Sequence, residues 1–232
     1  DPTVGDLSGN VQRLAGLAQL AEAQGASVGV STELAVCGYP PRDLLLEHDF
    51  VQRSFNAALS VTSSIPLLVG TPVPAEDERS LPTNGVVRCG PEYTTITGEG
   101  QARIVAEKQL LPTYDVFDEA RYFAAKNRSG LARSFGSLTL GVTVCEDAWQ
   151  SAGMTPSAYA NDPIEHIAEW CRQGVAIHAT VNLSASPFHA DKFTKRLAVA
   201  RHAASVLNHP FLLANQVGGN DDLLFDGRSL VA

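Results

Sequence analysis

The sequence predicts one α/β domain. Short, almost continuously apolar runs, which are typical of buried strands, alternate with longer segments whose apolar residues recur at helical spacing. Of the 232 residues, 44% are hydrophobic and 18% are charged, which is enough apolar material for a sizeable core. The chain shows no internal repeat, low-complexity tract or linker. We therefore expect residues 1–232 to form a single domain.

Helices and strands alternate through the first part of the chain. Apolar residues on one face at 3.6-residue spacing indicate the opening helix, and Gly25 is a typical stop for it. The apolar run after Gly25 leads to Glu33, which we place at the carboxyl end of a strand. In chain order we predict a helix over residues 10–24, a strand over 27–30, a helix around 49–63, a buried strand over 66–70 and an exposed loop over 72–83.

The middle of the chain is rich in β-forming residues. Two such runs separated by Gly90 and Pro91 predict a hairpin. Residues 110–130 mix aromatic and charged side chains, and we expect irregular structure there. The strands predicted in this part cover residues 86–89, 93–97, 103–106 and 138–144.

The last third opens with a recognisable helix start. Asp162 is a good N-cap, Pro163 suits the first helical position, and Glu165 lies three residues after the cap. The elements predicted after this helix are a strand over residues 175–183, a long helix over 190–208 and strands over 211–215 and 223–225.

Charge and composition exclude several classes of protein. Seventeen Lys and Arg residues against 25 Asp and Glu residues give a net charge of −8, whereas proteins that bind nucleic-acid phosphates need clustered cations. No apolar run approaches the roughly 18 residues of a membrane span, and no signal peptide opens the chain. We therefore expect an acidic cytoplasmic protein that binds neither nucleic acid nor membrane.

The cysteines and histidines show no metal-binding or disulfide pattern. The four cysteines, at positions 37, 89, 145 and 171, form no C-x-x-C pair, and the six histidines lack ligand spacing. We expect reduced thiols and no metal site.

Three polar residues lie where predicted apolar strands end: Glu33, Lys108 and Cys145. In α/β folds, functional groups gather at such strand ends. A thiol with a reference pKa of about 8.5 needs a base to become a nucleophile, and a lysine can stabilise the charge on a carbonyl oxygen. The residues alone leave a structural interpretation equally open, because a cysteine ending a strand is commonly a small core residue.

Six blocks of sequence together carry a resemblance to a known family. They cover residues 1–7, 33–45, 108–119, 144–149, 182–189 and 215–221. In this order they resemble the nitrilase (carbon–nitrogen hydrolase) superfamily, and within it the glutaminase domain of glutamine-dependent NAD synthetases. The Tyr-Pro-Pro sequence at 39–41 and the Asn-Gln-Val-Gly-Gly sequence at 215–219 point to that branch.

The resemblance implies a fold and a reaction. The fold is a four-layer αββα sandwich, and the reaction is hydrolysis of the side-chain amide of L-glutamine through a thioester, which supplies ammonia for NAD synthesis. Glu33 is then the general base, Lys108 the electrostatic stabiliser, Cys145 the nucleophile and Glu119 an additional carboxylate near the lysine. The residues implied to hold the α-amino and α-carboxyl groups of glutamine are Tyr114, Glu146, Ser186 and Lys192.

The chain also departs from the family. Thr32 stands where proline usually precedes the glutamate, the strand that normally comes before Asp1 is missing, and no ATP-pyrophosphatase loop is present. The missing strand and the missing loop imply a domain truncated at both ends, as a fragment of a longer polypeptide, whose partner is the synthetase domain that this sequence lacks. ATP and Mg²⁺ are expected only in that missing domain, with no cofactor in this one, and a homo-oligomer is expected.

Two other functions remain open from the sequence. One is a free-standing amidase of the nitrilase family that acts on another small amide. The other is a non-catalytic scaffold that keeps the fold only to bind a partner, although the presence of Glu33, Lys108 and Cys145 argues against it.

Overall fold

The structure, a computed structural model, describes residues 1–77, 79–91, 103–126, 130–133 and 138–232. The α-helices in these ranges are α1 (Leu7–Ala23), α2 (His48–Leu59), α3 (Pro163–Arg172) and α4 (Lys192–Leu207). The strands are β1 (Gly29–Val30), β2 (Leu67–Val73), β3 (Thr83–Cys89), β4 (Ile104–Glu107), β5 (Gly130–Arg133), β6 (Thr139–Val144), β7 (Ala179–Ser184), β8 (Phe211–Asn215), β9 (Val217–Asn220), β10 (Leu223–Asp226) and β11 (Leu230–Val231).

The strands form two main sheets and a hairpin. The first sheet has the order β1-β2-β3-β4, in which only β1 and β2 run parallel. The second has the order β11-β8-β7-β6-β5, with parallel β6, β7 and β8 between two antiparallel edge strands. Strands β9 and β10 pair as a separate hairpin. Because β6 and β7 are parallel neighbours, the residues that follow them emerge at the same edge of the sheet.

The layers are helix, sheet, sheet and helix. One apolar cluster, which includes Leu68, Val86, Val142 and Val181, lies between the two sheets. Apolar residues of α1 and α2 cover the other face of the first sheet, and those of α3 and α4 cover the other face of the second. The predicted αββα sandwich is confirmed. No helix in the described part of the chain is long and apolar enough to cross a membrane.

Local chemistry explains where the helices begin. The Asp162 carboxylate accepts hydrogen bonds from the backbone of Ile164 at 3.1 Å and of Glu165 at 3.2 Å, which confirms the predicted cap of α3. Helix α1 begins at Leu7, earlier than predicted, because Asp6 caps it by accepting from the Gly9 N–H at 2.9 Å.

Several predicted boundaries are wrong. In the sheet β3 lies between β2 and β4, and the second strand of the predicted hairpin, residues 93–97, lies outside the described residues. The predicted loop over 72–83 is shorter, since the ladder continues to the Val73–Thr83 pair. Strand β7 begins only at Ala179, because the Val175 N–H still bonds back to Trp170 at the end of α3. Helix α2 ends at Leu59 rather than residue 63.

Candidate active site

Three predicted residues meet in a buried ionic cluster. The Lys108 Nζ atom lies 2.7 Å from Glu33 Oε1 and 2.8 Å from both carboxylate oxygens of Glu119. Lys108 follows β4, Glu33 follows β1, and Glu119 begins a short 3-10 helix. Residues 75 and 11 positions apart from Lys108 are thus in direct contact with it.

Burial of this cluster affects the pKa of its lysine. The Lys108 side chain has no exposed surface, and burial alone lowers the pKa of its ammonium group. The carboxylates of Glu119 and Glu33 outweigh that effect and raise the pKa of Lys108 well above its usual value. Lys108 is therefore charged at neutral pH, with two carboxyl groups fixed around it.

Glu33 is oriented by neutral donors as well as by the lysine. Its Oε1 atom accepts from the Asn84 side-chain amide at 2.8 Å, and its Oε2 atom accepts from the Ala185 N–H at 3.0 Å. The backbone carbonyl of Asn84 also accepts from the backbone N–H of Lys108 at 2.7 Å. Asn84 therefore contacts both the Glu33 carboxylate and the backbone of Lys108. Sequence reasoning missed it, because an asparagine inside β3 carries no motif.

Glu119 has a second partner in Tyr39. The Tyr39 hydroxyl donates to Glu119 Oε1 at 2.8 Å, and both side chains are buried. Burial raises the pKa of Glu119 to about 7, against the opposing charge of Lys108. The nearby Glu33 carboxylate raises it further. The cluster thus holds a carboxyl group that titrates near neutral pH.

Cys145 occupies a constrained turn at the end of β6. Its φ angle is +42°, which is rare for a residue other than glycine, and only 6% of the residue is exposed. The Asn182 side chain, from neighbouring β7, donates to the Cys145 carbonyl at 3.3 Å and to Thr143 at 3.0 Å. This arrangement fixes the backbone that carries the thiol.

The buried charges act on the Cys145 thiol. Burial raises its pKa well above the usual value, the Glu33 carboxylate raises it further, and the Lys108 ammonium lowers it. The resting thiol is therefore neutral and needs a base. Among the residues described, Cys37 and Cys89 are also buried free thiols, and burial raises the pKa of Cys89 to about 12. Neither has the carboxylate and lysine neighbours that act on Cys145.

The predicted substrate-binding residues are only partly brought together. Tyr114 and Lys192 line an open cavity of about 460 Å³. Glu146 lies next to this cavity, because the hydroxyl of the lining residue Tyr114 donates to Glu146 Oε1 at 2.7 Å. Tyr159, which sequence reasoning missed, donates to the same oxygen at 3.3 Å. Lys192 Nζ lies 4.4 Å from the centre of the Trp149 ring.

Ser186 is positioned separately from the other three. It is not one of the residues lining that cavity, and its N–H donates to Asn215 Oδ1 at 2.8 Å. Among the described residues, its buried hydroxyl has no hydrogen-bond partner. Ser186 directly follows Ala185, which binds Glu33, so it lies on the side of the site next to the general base candidate.

The described part of the chain holds no group of three or more His, Cys, Asp or Glu side chains arranged to bind a metal ion.

Comparison with known proteins identifies relatives of the chain. No family model matches it. A glutamine-dependent NAD(+) synthetase from Synechocystis sp. is 38% identical over 239 residues, covering 99% of this chain and 40% of the relative. The solved structure of a glutamine-dependent NAD+ synthetase from Acinetobacter baumannii is 28% identical with a TM-score of 0.78, covering 100% of this chain and 40% of that one.

The fold has a further solved neighbour. An amidase of the nitrilase superfamily from Nesterenkonia AN1 is 18% identical with a TM-score of 0.68, covering 99% of this chain and 78% of the amidase. The chain spans about 40% of the length of the synthetases it matches. Along its whole length the chain is related to the glutamine-dependent NAD(+) synthetases, and its fold is that of the nitrilase-superfamily amidases.

Proposed function

We propose that this chain is a carbon–nitrogen hydrolase that releases ammonia from the side-chain amide of L-glutamine for NAD synthesis. The observation that carries the proposal is the buried contact of Lys108 with Glu33 and Glu119, whose charges act on the Cys145 thiol. Such a cluster argues against a mere scaffold, because burying charges can cost more free energy than pairing them returns.

The first step forms a thioester. Glu33 takes the proton of the Cys145 thiol as the sulfur attacks the amide carbon, and the carbonyl oxygen becomes an oxyanion. The Lys108 ammonium and the Glu146 N–H stabilise that oxyanion. The C–N bond then breaks, the nitrogen leaves as ammonia with the proton returned by Glu33, and the acyl group stays on sulfur.

The second step releases glutamate. Glu33 takes a proton from water, the resulting hydroxide attacks the thioester carbon, and the C–S bond breaks. The proton returns to the sulfur, which restores the thiol. Glu119 and Tyr39 keep Lys108 in place during both steps. In a glutamate-to-glutamine mutant of the Nesterenkonia sp. AN1 amidase, the acetamide moiety of fluoroacetamide is covalently added at the active site cysteine. We propose that Cys145 is likewise the nucleophile here, and that its adduct with glutamine is a thioester.

The cavity lined by Tyr114 and Lys192 holds the amino-acid end of the substrate in this proposal. Glu146 accepts from two tyrosine hydroxyls and offers negative charge to the α-amino group. Lys192 offers positive charge to the α-carboxylate, and Ser186 contributes its unpartnered hydroxyl. The two charges discriminate glutamine from simple amides.

The ammonia goes to a synthetase domain. Relatives that extend well beyond the matched region are named as glutamine-dependent NAD(+) synthetases, which supports such a domain as the partner. We propose that ATP and Mg²⁺ act only there, that the hydrolysis described above uses no cofactor, and that the assembly is a homo-oligomer.

Substrate comparison tests the proposal. The purified chain is given L-glutamine, the des-amino analogue glutaramate, or acetamide, and the released ammonia is measured. We expect kcat/KM for glutamine to exceed that for glutaramate by at least about tenfold, because glutaramate cannot engage Glu146. Equal values would favour the free-standing amidase.

Covalent labelling separates a catalyst from a scaffold. A glutamine-like diazoketone should attach to Cys145, as read by peptide mass spectrometry, and excess glutamine should slow the labelling. Cys37 and Cys89, which are buried away from the charged cluster, serve as internal controls. Labelling of all three thiols at one rate, with no protection by glutamine, would refute the proposal.

A further inference from the structure

Asp147 is a buried carboxylate that the proposed reaction does not use. Only 2% of it is exposed, and both of its oxygens accept backbone hydrogen bonds. Oδ1 accepts from the N–H groups of Gln109 and Leu110, each at 3.0 Å, and Oδ2 accepts from the Val144 N–H at 3.0 Å.

These bonds join two separate segments of the chain. Gln109 and Leu110 directly follow Lys108, and Val144 directly precedes Cys145. One carboxylate therefore connects the segment that presents the lysine with the turn that presents the thiol, across 37 and 38 residues of sequence.

Capping of the neighbouring 3-10 helix does not by itself account for these three hydrogen bonds. The bond to Val144 alone closes the short 3-10 helix over Cys145–Ala148. The other oxygen reaches away from that helix to the lysine segment, where it satisfies two N–H groups at once. Burial raises the pKa of Asp147 to about 7, and the bond from the Val144 N–H and the charge of Lys108 oppose that rise.

The strained backbone at Cys145 explains why such a brace is useful. A cysteine at φ +42° persists only where its surroundings hold it in place. The Val144–Asp147 bond lies immediately before that residue, and the Asn182–Cys145 bond holds its carbonyl. Released from Val144, the turn can relax and carry the sulfur away from the lysine.

We propose that Asp147 is a positioning residue that sets the distance between the Cys145 sulfur and the Lys108 ammonium. The proposal rests on the proposed function for its kinetic consequence, while its geometric consequence stands independently. The hydrogen bonds described for Asp147 go to backbone N–H groups of Gln109, Leu110 and Val144, so it acts through the two backbone segments that it joins.

The test variant is Asp147→Asn. Asparagine keeps the shape but has one acceptor oxygen, so in either orientation its NH₂ group faces a backbone N–H and at least one bond is lost. We expect kcat for glutamine to fall about 10- to 100-fold with KM changed less than about twofold, because misplacement affects the transition state rather than ground-state binding. Iodoacetamide alkylation of Cys145 should slow in parallel.

Asp162→Ala is the matched control. It removes a carboxylate that accepts two backbone N–H bonds, against three at Asp147, and that lies at the start of α3. We expect its Tm to fall comparably, with kcat and the alkylation rate of Cys145 unchanged. Wild-type kcat in Asp147→Asn, a change in KM alone, or an equal loss of kcat in the control would overturn the proposal.

Hydrogen exchange on the unmodified chain decides the matter if Asp147→Asn does not fold. The amides of Gln109 and Leu110 should exchange as slowly as those inside β6, because Asp147 protects them. Exchange at the rate of an open loop would overturn the proposal. Absence of glutaminase activity in the wild-type chain would instead refute the proposed function, and the alkylation and exchange results would still test the brace.

Discussion

The ionic cluster and the cavity next to it are built in opposite ways. Lys108, Glu33 and Glu119 are almost completely buried, and Lys108 contacts the first glutamate at 2.7 Å and the second at 2.8 Å. Tyr114 and Lys192 line an open cavity, and they emerge from a loop and from the first turn of α4. The first region offers fixed charges, and the second offers space with a few polar groups.

This difference separates chemistry from recognition. A cluster whose charges are desolvated and held in place by ordered backbone stabilises a transition state without rearranging. An open cavity lined by loop residues determines which substrate enters. Changes in the cluster should therefore lower kcat, whereas changes in the cavity should raise KM, and each prediction below tests that division.

The largest expected effect comes from removing the sulfur. In Cys145→Ala we expect glutaminase turnover to fall at least about 1,000-fold, because no other group can form the thioester. Far-UV circular dichroism should stay unchanged. Cys89→Ala is the control, since Cys89 donates to the Ala58 carbonyl within the core, and its turnover should stay near wild type. A comparable loss in both variants would mean that the wrong thiol has been assigned.

The next effect comes from removing the buried positive charge. Lys108→Gln leaves Glu33 and Glu119 without a countercharge, so we expect kcat to fall about 100- to 1,000-fold and stability to fall by about 3 kcal/mol. Kinetics and urea denaturation measure the two effects. Arg53→Gln, which breaks the exposed pair with Asp49, should change stability by less than about 1 kcal/mol. Full activity without Lys108 would remove the stabiliser from the mechanism.

A change in the cavity should have a smaller effect, and on KM rather than on kcat. Tyr114→Phe removes the hydroxyl that donates to Glu146 and keeps the edge-on ring contact with Phe117. We expect KM for glutamine to rise up to about tenfold while kcat stays within about twofold, as for the loss of one hydrogen bond. Tyr122→Phe removes a similar bond to exposed Asp43 and should change neither value. A fall in kcat alone for Tyr114→Phe would contradict the division between the regions.

Sequence reasoning located the main elements where the local signal was strong. The Asp162-Pro163 start of α3 and the apolar run of β6 could be read directly, because caps and continuous apolar strands leave a pattern in neighbouring residues. Sequence reasoning did not predict strands β9 and β11. The former contains Gly218 and Gly219, the latter has two residues, and only pairing with β10 and β8 makes them strands.

The site was predictable to the same extent. Strand ends suggested Glu33, Lys108 and Cys145, and family resemblance added Glu119, which contacts Lys108 as expected. Asn84, Tyr39 and Asp147 could not be found this way. Each acts through a bond to a residue at least 37 positions away, and single-sequence patterns do not report such pairings. Their roles follow from the tertiary contacts alone.

The last prediction concerns stability as a function of pH rather than turnover. Glu119 has a pKa of about 7 when folded, above the unfolded value of about 4.3, so the folded protein binds more protons between these values. Its contribution to stability is complete below about pH 4 and is lost as pH rises to about 7. In Glu119→Gln that loss is absent, so the stability difference, variant minus wild type, should increase by about 1–3 kcal/mol between pH 4.5 and 7.5. Urea denaturation across this range measures it.

The raised pKa of Asp147 gives stability a dependence on pH of the same sign. It does so in both proteins, so this contribution cancels in the stability difference. Parallel curves would mean that Glu119 stays ionised beside Lys108 throughout, which would make the cluster a fixed set of charges rather than one that exchanges a proton near neutral pH.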